Sequence, residues 1–138
     1  MKSSRRLFCS FLLVLMAAMA LTCSTSRLAQ SVTVSPTTAD ARDFADGQVQ
    51  FTATGYYNQE PSPVTPLTAT WGVCASNGNL NGVSVNASGL AQCSRGATGT
   101  YNVFASVQNP SRGVCTVDLP CGGEGCGQVV GTAQLTCT

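Results

Sequence analysis

A chain of 138 residues holds one domain and excludes two once an export segment is taken off its start. Charged residues make up 9% of it, and past Ala20 four arginines face six acidic residues with no lysine, so no basic stripe exists to follow a phosphate backbone or an anionic surface, and nucleic acid is excluded as a partner. The chain has 0 histidines, which excludes Ser-His and Cys-His nucleophile pairs and an imidazole base.

Lys2, Arg5 and Arg6 precede an apolar run from Leu7 to Leu21 that only Ser10 interrupts. Such a run fits the hydrophobic region of a signal peptide and falls short of the ~18 residues a membrane-crossing helix needs. Residues 1–22 are therefore expected to be an export signal. Two cleavage points compete. Ala18-Met19-Ala20 meets the small-x-small pattern of ordinary signal peptidase, while Ala20-Leu21-Thr22-Cys23 resembles a bacterial lipobox, in which Cys23 is acylated, although Thr22 departs from the small residue usual there. Residues 23–30 are expected to be a polar tether, and the membrane is reached only through a lipid on Cys23. The protein is expected outside the cytoplasm, either at the outer membrane or cell surface as a lipoprotein, or free in the periplasm or medium.

From Ser31 the hydrophobic period is 2, the signature of half-buried strands. "SVTVSP" alternates Val32 and Val34 with polar residues until Pro36. Asp40, Asp43 and Asp46 follow in a turn-rich stretch, and Asp46-Gly47 is a tight-turn pair that opens "GQVQFTAT", with Val49, Phe51 and Ala53 on one face. "YYNQEPSPVTP" (56–66) holds three prolines and is expected to be a loop carrying Tyr56 and Tyr57. "LTATWGV" then puts Leu67, Ala69, Trp71 and Val73 on one face. "VSVN" and "GLAQC" read as two short strands joined by "NASG". "GTYNVFASVQ" turns Tyr101, Val103, Ala105 and Val107 inward and leaves Phe104 on the other side. After a Cys- and Gly-rich insertion at 109–128, "VVGTAQLTC" puts Ala133, Leu135 and Cys137 on one face. The expected domain, 31–138, is an all-β, immunoglobulin-like antiparallel β-sandwich of about seven strands, stapled by disulfides. Trp71, Phe51 and Val103 are assigned to its core.

Cys9 leaves with the signal, and setting Cys23 aside leaves Cys74, Cys93, Cys115, Cys121, Cys126 and Cys137. An even set in an exported chain reads as three disulfides. The absence of any C-x-x-C and of histidine argues against zinc and against a thioredoxin-like site. Cys74 and Cys93 close neighbouring strands and are expected to bond to each other. The other four allow three connectivities, of which Cys115–Cys126 with Cys121–Cys137 is preferred.

The remaining polar clusters have plainer readings. Asp40, Asp43 and Asp46 lack the D-x-D-x-D-G calcium pattern and suit a surface turn better than a pair of catalytic carboxylates. Asn86-Ala87-Ser88 matches a glycosylation acceptor, but Asn and Ser-Gly are turn residues there. Tyr56 and Tyr57 suit a recognition loop or a lid over the sandwich end. The insertion is either a stiffened binding loop or a tolerated excursion pinned by crosslinks.

Taken together and in order, "VTVSP", "GQVQFTATG", "TPLTATW", "VSVNASGLAQ", "GTYNVFASV" and "GTAQLT" resemble the group 2 bacterial immunoglobulin-like domain, the module of invasin- and intimin-type surface proteins. The resemblance covers residues 31–137. It implies a spacer, stalk or recognition module with no catalytic residues, no cofactor and a protein or glycan of the cell envelope as partner. The cysteines and the long connection at 109–128 depart from that family, and a contact peculiar to this protein is expected there, either as part of an adhesive module or as the working loop of a secreted binder or inhibitor.

Overall fold

The computed structural model describes residues 26–75, 80–113 and 127–138. The expected signal, Cys23, and residues 114–126 with Cys115, Cys121 and Cys126 lie outside the described residues. What is described is a two-layered β-sandwich. One layer has β1 (Ala29–Ser35) against β4 (Thr52–Tyr57), and β3 (Gln48–Gln50) against β7 (Leu90–Cys93), which also pairs with β6 (Val83–Val85). β3 and β4 are one run of chain interrupted at Phe51, whose N–H donates to the Gly89 carbonyl at 2.9 Å. The other layer runs β2 (Thr38–Asp40), β9 (Gln128–Cys137), β8 (Gly99–Gln108), β5 (Thr70–Ala75). With β1/β2 and β3/β4 each counted as one divided strand, the arrangement is the four-on-three order of an immunoglobulin-like sandwich, its first strand shared between the layers.

The alternation in the sequence becomes the core. Val49, Phe51, Val103, Ala105 and Leu135 are completely buried, and Val32, Val34, Ala53, Tyr101, Ala133 and Cys137 nearly so. Burial of this apolar surface, at about 25 cal/mol per Å², is the main force holding the layers together. Gly131 sits where β1 crosses β9 closely: a Cβ there would lie 2.6 Å from the Val32 carbonyl oxygen. Asp46 and Gly47 both adopt left-handed backbone, φ 56° and 65°, and form the sharp turn expected before β3.

Three features differ from the sequence reading. First, the chain does not stay in a turn after Pro36 but enters the second layer, where β2 pairs with β9 in parallel, the exception to the antiparallel rule among the described pairings. Three residues carry too little pattern to be seen as a strand, and β2 exists because β9 offers it partners, beginning with the Gln134 N–H to the Thr37 carbonyl at 2.9 Å. Second, residues 27–30 are not tether. β1 begins at Ala29, which is buried, and the Leu28 N–H donates to Asn58 Oδ1 at 2.7 Å.

Third, the disulfide pairing is corrected. Cys93 is bonded to Cys137, with Cα atoms 5.8 Å apart, which overturns Cys74–Cys93 and Cys121–Cys137 together. The reason is phase. Cys93 follows the buried Ala91 by two residues and Cys137 follows the buried Leu135 by two, so both project between the layers and meet at one end of the sandwich. Cys74 pairs across with the exposed Asn102 and projects outward. It is disulfide-bonded as well, to a cysteine other than these two.

Candidate functional site

The strands deliver two kinds of end. At one lie the Cys93–Cys137 bond and the short turns 41–47. At the other, the N-terminal arm lies against both the 58–66 loop and the stem of the insertion through hydrogen bonds.

Its anchor is Asn109, 3% exposed. Its Nδ2 donates to the Ala29 carbonyl at 2.7 Å, and its Oδ1 accepts from the Ser111 N–H at 3.1 Å and the Ser111 hydroxyl at 2.6 Å. Its backbone N–H donates to the Gly127 carbonyl, which closes the insertion at its base. Gly127 has φ +74°, and a Cβ there would run into the Gly113 carbonyl, so only glycine closes this stem. One side chain thus ties the insertion to the first strand. Asn109→Ala leaves the buried Ala29 carbonyl without its partner, and is expected to cost about 1–3 kcal/mol in chemical denaturation. Asn109→Asp should not restore it, since a carboxylate cannot donate to that carbonyl.

Ala29 stands opposite Tyr57, and both tyrosines expected in the loop instead close β4, paired with β1, so that the loop itself begins at Asn58. The Arg27 guanidinium lies 3.8 Å from the centre of the Tyr57 ring and donates to the Gln59 carbonyl at 3.3 Å and to the Pro61 carbonyl. Ser62 Oγ accepts from the Tyr57 N–H at 2.9 Å, and the hydroxyls of Thr54 and Thr65 are 2.6 Å apart, so the loop is folded back on β4. Tyr57 is thereby engaged, while Tyr56 remains 41% exposed. The sequence had singled out both tyrosines and the insertion. It gave Arg27 and Asn109 no role, and the only signal for the latter was an Asn-Pro step at the start of a loop.

Trp71 is half-buried on the inner face, opposite Ala105 and against the core, and its ring packs on Gly89, where a Cβ would lie 2.7 Å away. Beside it runs an open groove of about 350 Å³ that includes Gln50, Ala53, Leu67 and Ser88 in its walls. The core residues Phe51 and Val103 are each 0% exposed.

At the opposite end a shallow cleft of about 540 Å³ is lined by Arg42, Phe44, Asp46, Arg95 and the Cys93 staple, among others, with Phe44 42% exposed. Asp40 caps the turn that follows it: its carboxylate takes the Arg42 side chain at 2.7 Å and the Arg42 N–H at 3.0 Å, and the side-chain bond above all holds it below the usual carboxylate range. One of the three aspartates is thus committed to turn geometry. Likewise Asn86 Oδ1 accepts from the N–H groups of Ser88 at 2.9 Å and Leu90 at 3.0 Å, which builds the β6–β7 turn. Among the described residues no three Cys, Asp or Glu side chains come close enough to hold a metal ion, and no helix is long and apolar enough to cross a membrane. No protein-family model matches the chain, and no curated protein matches it in sequence.

Proposed function

We propose that the chain is an exported, noncatalytic immunoglobulin-like module of the bacterial cell envelope, of the group 2 bacterial kind, with a structural or protein- or glycan-binding role and a lipid anchor on Cys23. The observation that carries this reading is how the polar groups are used. Asp40, Asn86 and Asn109 are spent on turns and on the insertion stem, whereas Tyr56 stays exposed beside the braced 58–66 loop, at the same end of the sandwich as that stem. An exposed aromatic side chain at a strand end beside a braced loop suits binding better than proton transfer.

The N-terminal arm supports the anchoring. Ser26 lies against Asn58, and Cys23 is three residues upstream, a reach of about 10 Å at most. An acyl chain on Cys23 would hold the insertion end near the membrane and present the Phe44 end outward. The second reading, a secreted binder or inhibitor acting through 113–127, is favoured by the stem residue Asn109, which is tied to Ala29 opposite Tyr57.

Three chains test these readings in an oxidising host compartment: the natural one, Cys23→Ala, and one with residues 113–127 replaced by a Gly-Asn turn. The anchored module predicts that the natural chain enters the detergent phase, that Cys23→Ala does not, and that the shortened chain still does. An unmodified N-terminus at Leu21 by intact mass overturns the anchor. Loss of a captured partner by the shortened chain alone, with its melting transition kept, moves the assignment to the secreted binder.

A further inference from the structure

Two shallow clefts meet at the staple end, on either side of one aromatic ring. The first, of about 540 Å³, has Arg42, Asp46, Gln92 and Arg95 in its walls, and the second, of about 450 Å³, has Thr38, Asp43 and Thr136. Exposed Phe44 borders both. Each volume falls in the range of about 300–1,000 Å³ usual for ligand sites.

The parts stand on short, braced frames. The Phe44 N–H donates to the Ala41 carbonyl at 3.3 Å and the Phe44 carbonyl accepts from the Gly47 N–H at 3.3 Å, so two successive tight turns hold the ring at the rim. Gly47 lies against β7, where a Cβ would be 3.0 Å from the carbonyl oxygen of Cys93, itself bonded to Cys137. Arg42 is aimed by Asp40, which takes its Nε and Nη2, and most of its side chain stays exposed. Arg95 stands in the turn that the Ala97 N–H closes onto the Ser94 carbonyl at 3.0 Å, and it forms no ion pair among the described residues. Since Arg42 shares its charge with Asp40, Arg95 is the cation that this end leaves for a ligand.

Side chains of these kinds suit sugars. Guanidinium, amide and carboxylate groups are planar and present paired donors or acceptors, which neighbouring ring hydroxyls can match because each hydroxyl both donates and accepts. The negative face of an aromatic ring attracts the C–H bonds on the apolar face of a pyranose. An apolar peptide side chain asks instead for a well-packed, desolvated pocket, and Phe44 is the one large apolar side chain lining the first cleft. Two clefts that share one ring call for a ligand of at least two units, and a guanidinium without an ion-pair partner calls for a carboxylate on the unit beside it. We propose that the staple end binds an acidic oligosaccharide, of the uronic-acid class, laid across Phe44. The carboxylate of one unit sits on Arg95 with its hydroxyls on Gln92 and Asp46, and the next unit lies over Thr38 and Thr136. This site rests on the noncatalytic binding reading, of which it makes the glycan form definite, and it is independent of the lipid anchor.

The test uses the Cys23→Ala chain, oxidised and free of any anchor, in calorimetric titration with trimers of galacturonate, mannuronate and glucuronate. The methyl ester of each trimer serves as its neutral counterpart, and acetylated tri-glutamate as an acid without rings. At least one trimer should bind, and its methyl ester and tri-glutamate should bind about tenfold more weakly or worse. Arg95→Ala and Phe44→Ala should each weaken that trimer about tenfold with the melting transition kept. Arg95→Lys should recover only part of the loss, because an ammonium keeps the charge and not the planar fork. Binding of no trimer overturns the site, as does tri-glutamate binding equally well, which makes this end a surface for acidic peptides. Loss of binding with Tyr56→Ala in place of Arg95→Ala overturns it too, by moving the sugar to the other end. A trimer that binds through Arg95 and is recovered shortened keeps the site and overturns the noncatalytic reading.

Discussion

Replacing Cys93 and Cys137 together by alanine is expected to lower the free energy of unfolding by about 4 kcal/mol, the largest effect of any change considered. The two residues are 44 apart in sequence, so the bond removes much of the freedom of the unfolded chain, and the loop-entropy relation gives that figure. The native state loses something too. Cys137 is 1% exposed between the layers, and this bond is the covalent link from β7 in one to β9 in the other. A domain of about 100 residues has only about 5–15 kcal/mol in total, so the double variant should unfold at a markedly lower urea concentration and temperature. Urea unfolding followed by Trp71 fluorescence measures the loss. A change below about 1 kcal/mol would mean that the unfolded chain is held compact by its other crosslinks.

Trp71→Ala should cost about 3 kcal/mol, the low end of the range for removing a large core aromatic, because Trp71 is half-buried and not enclosed. The indole closes the sandwich margin by lying on Gly89, whose φ of +82° and 2.5 Å virtual Cβ contact to the Phe51 carbonyl leave no room for another residue. Removing the ring opens the groove beside it toward Phe51 and Leu67. Trp71→Phe should recover most of the loss, which separates packing from any use of the indole N–H. Since the fluorophore is itself removed, far-ultraviolet circular dichroism follows the transition. If Trp71→Ala melts like the natural protein and selectively abolishes binding of a ligand, Trp71 belongs to the groove as a contact residue and not to the core.

The same residue marks the border between what alternation conveys and what packing decides. The period of 2 placed Val32, Val34, Val49, Phe51, Ala53, Val103, Ala133 and Leu135 on one side of their strands, and all are buried. It also put Trp71 on the inner side, but alternation states a direction and not a depth. Trp71 lies on β5, the last strand of its layer, where one flank has no strand neighbour, and hence it is only half-buried.

Local chemistry was equally legible. Asp46-Gly47 and Asn86 to Gly89 are turns because left-handed backbone and Asn side-chain acceptors are properties of residues a few positions apart. Strand phase and two turns were thus determined by the sequence, each within about ten residues of chain, and the sandwich class by the succession of such short strands. The tertiary structure alone decided the rest. β2 is a strand only because β9 lies beside it, Asn109 is an anchor only because Ala29 comes within 2.7 Å from 80 residues away, and Cys93 meets Cys137 only because two strand ends in different layers face each other. Those contacts depend on which strands become neighbours and at what register, a cooperative choice of the whole chain that leaves no mark in the local order of residues.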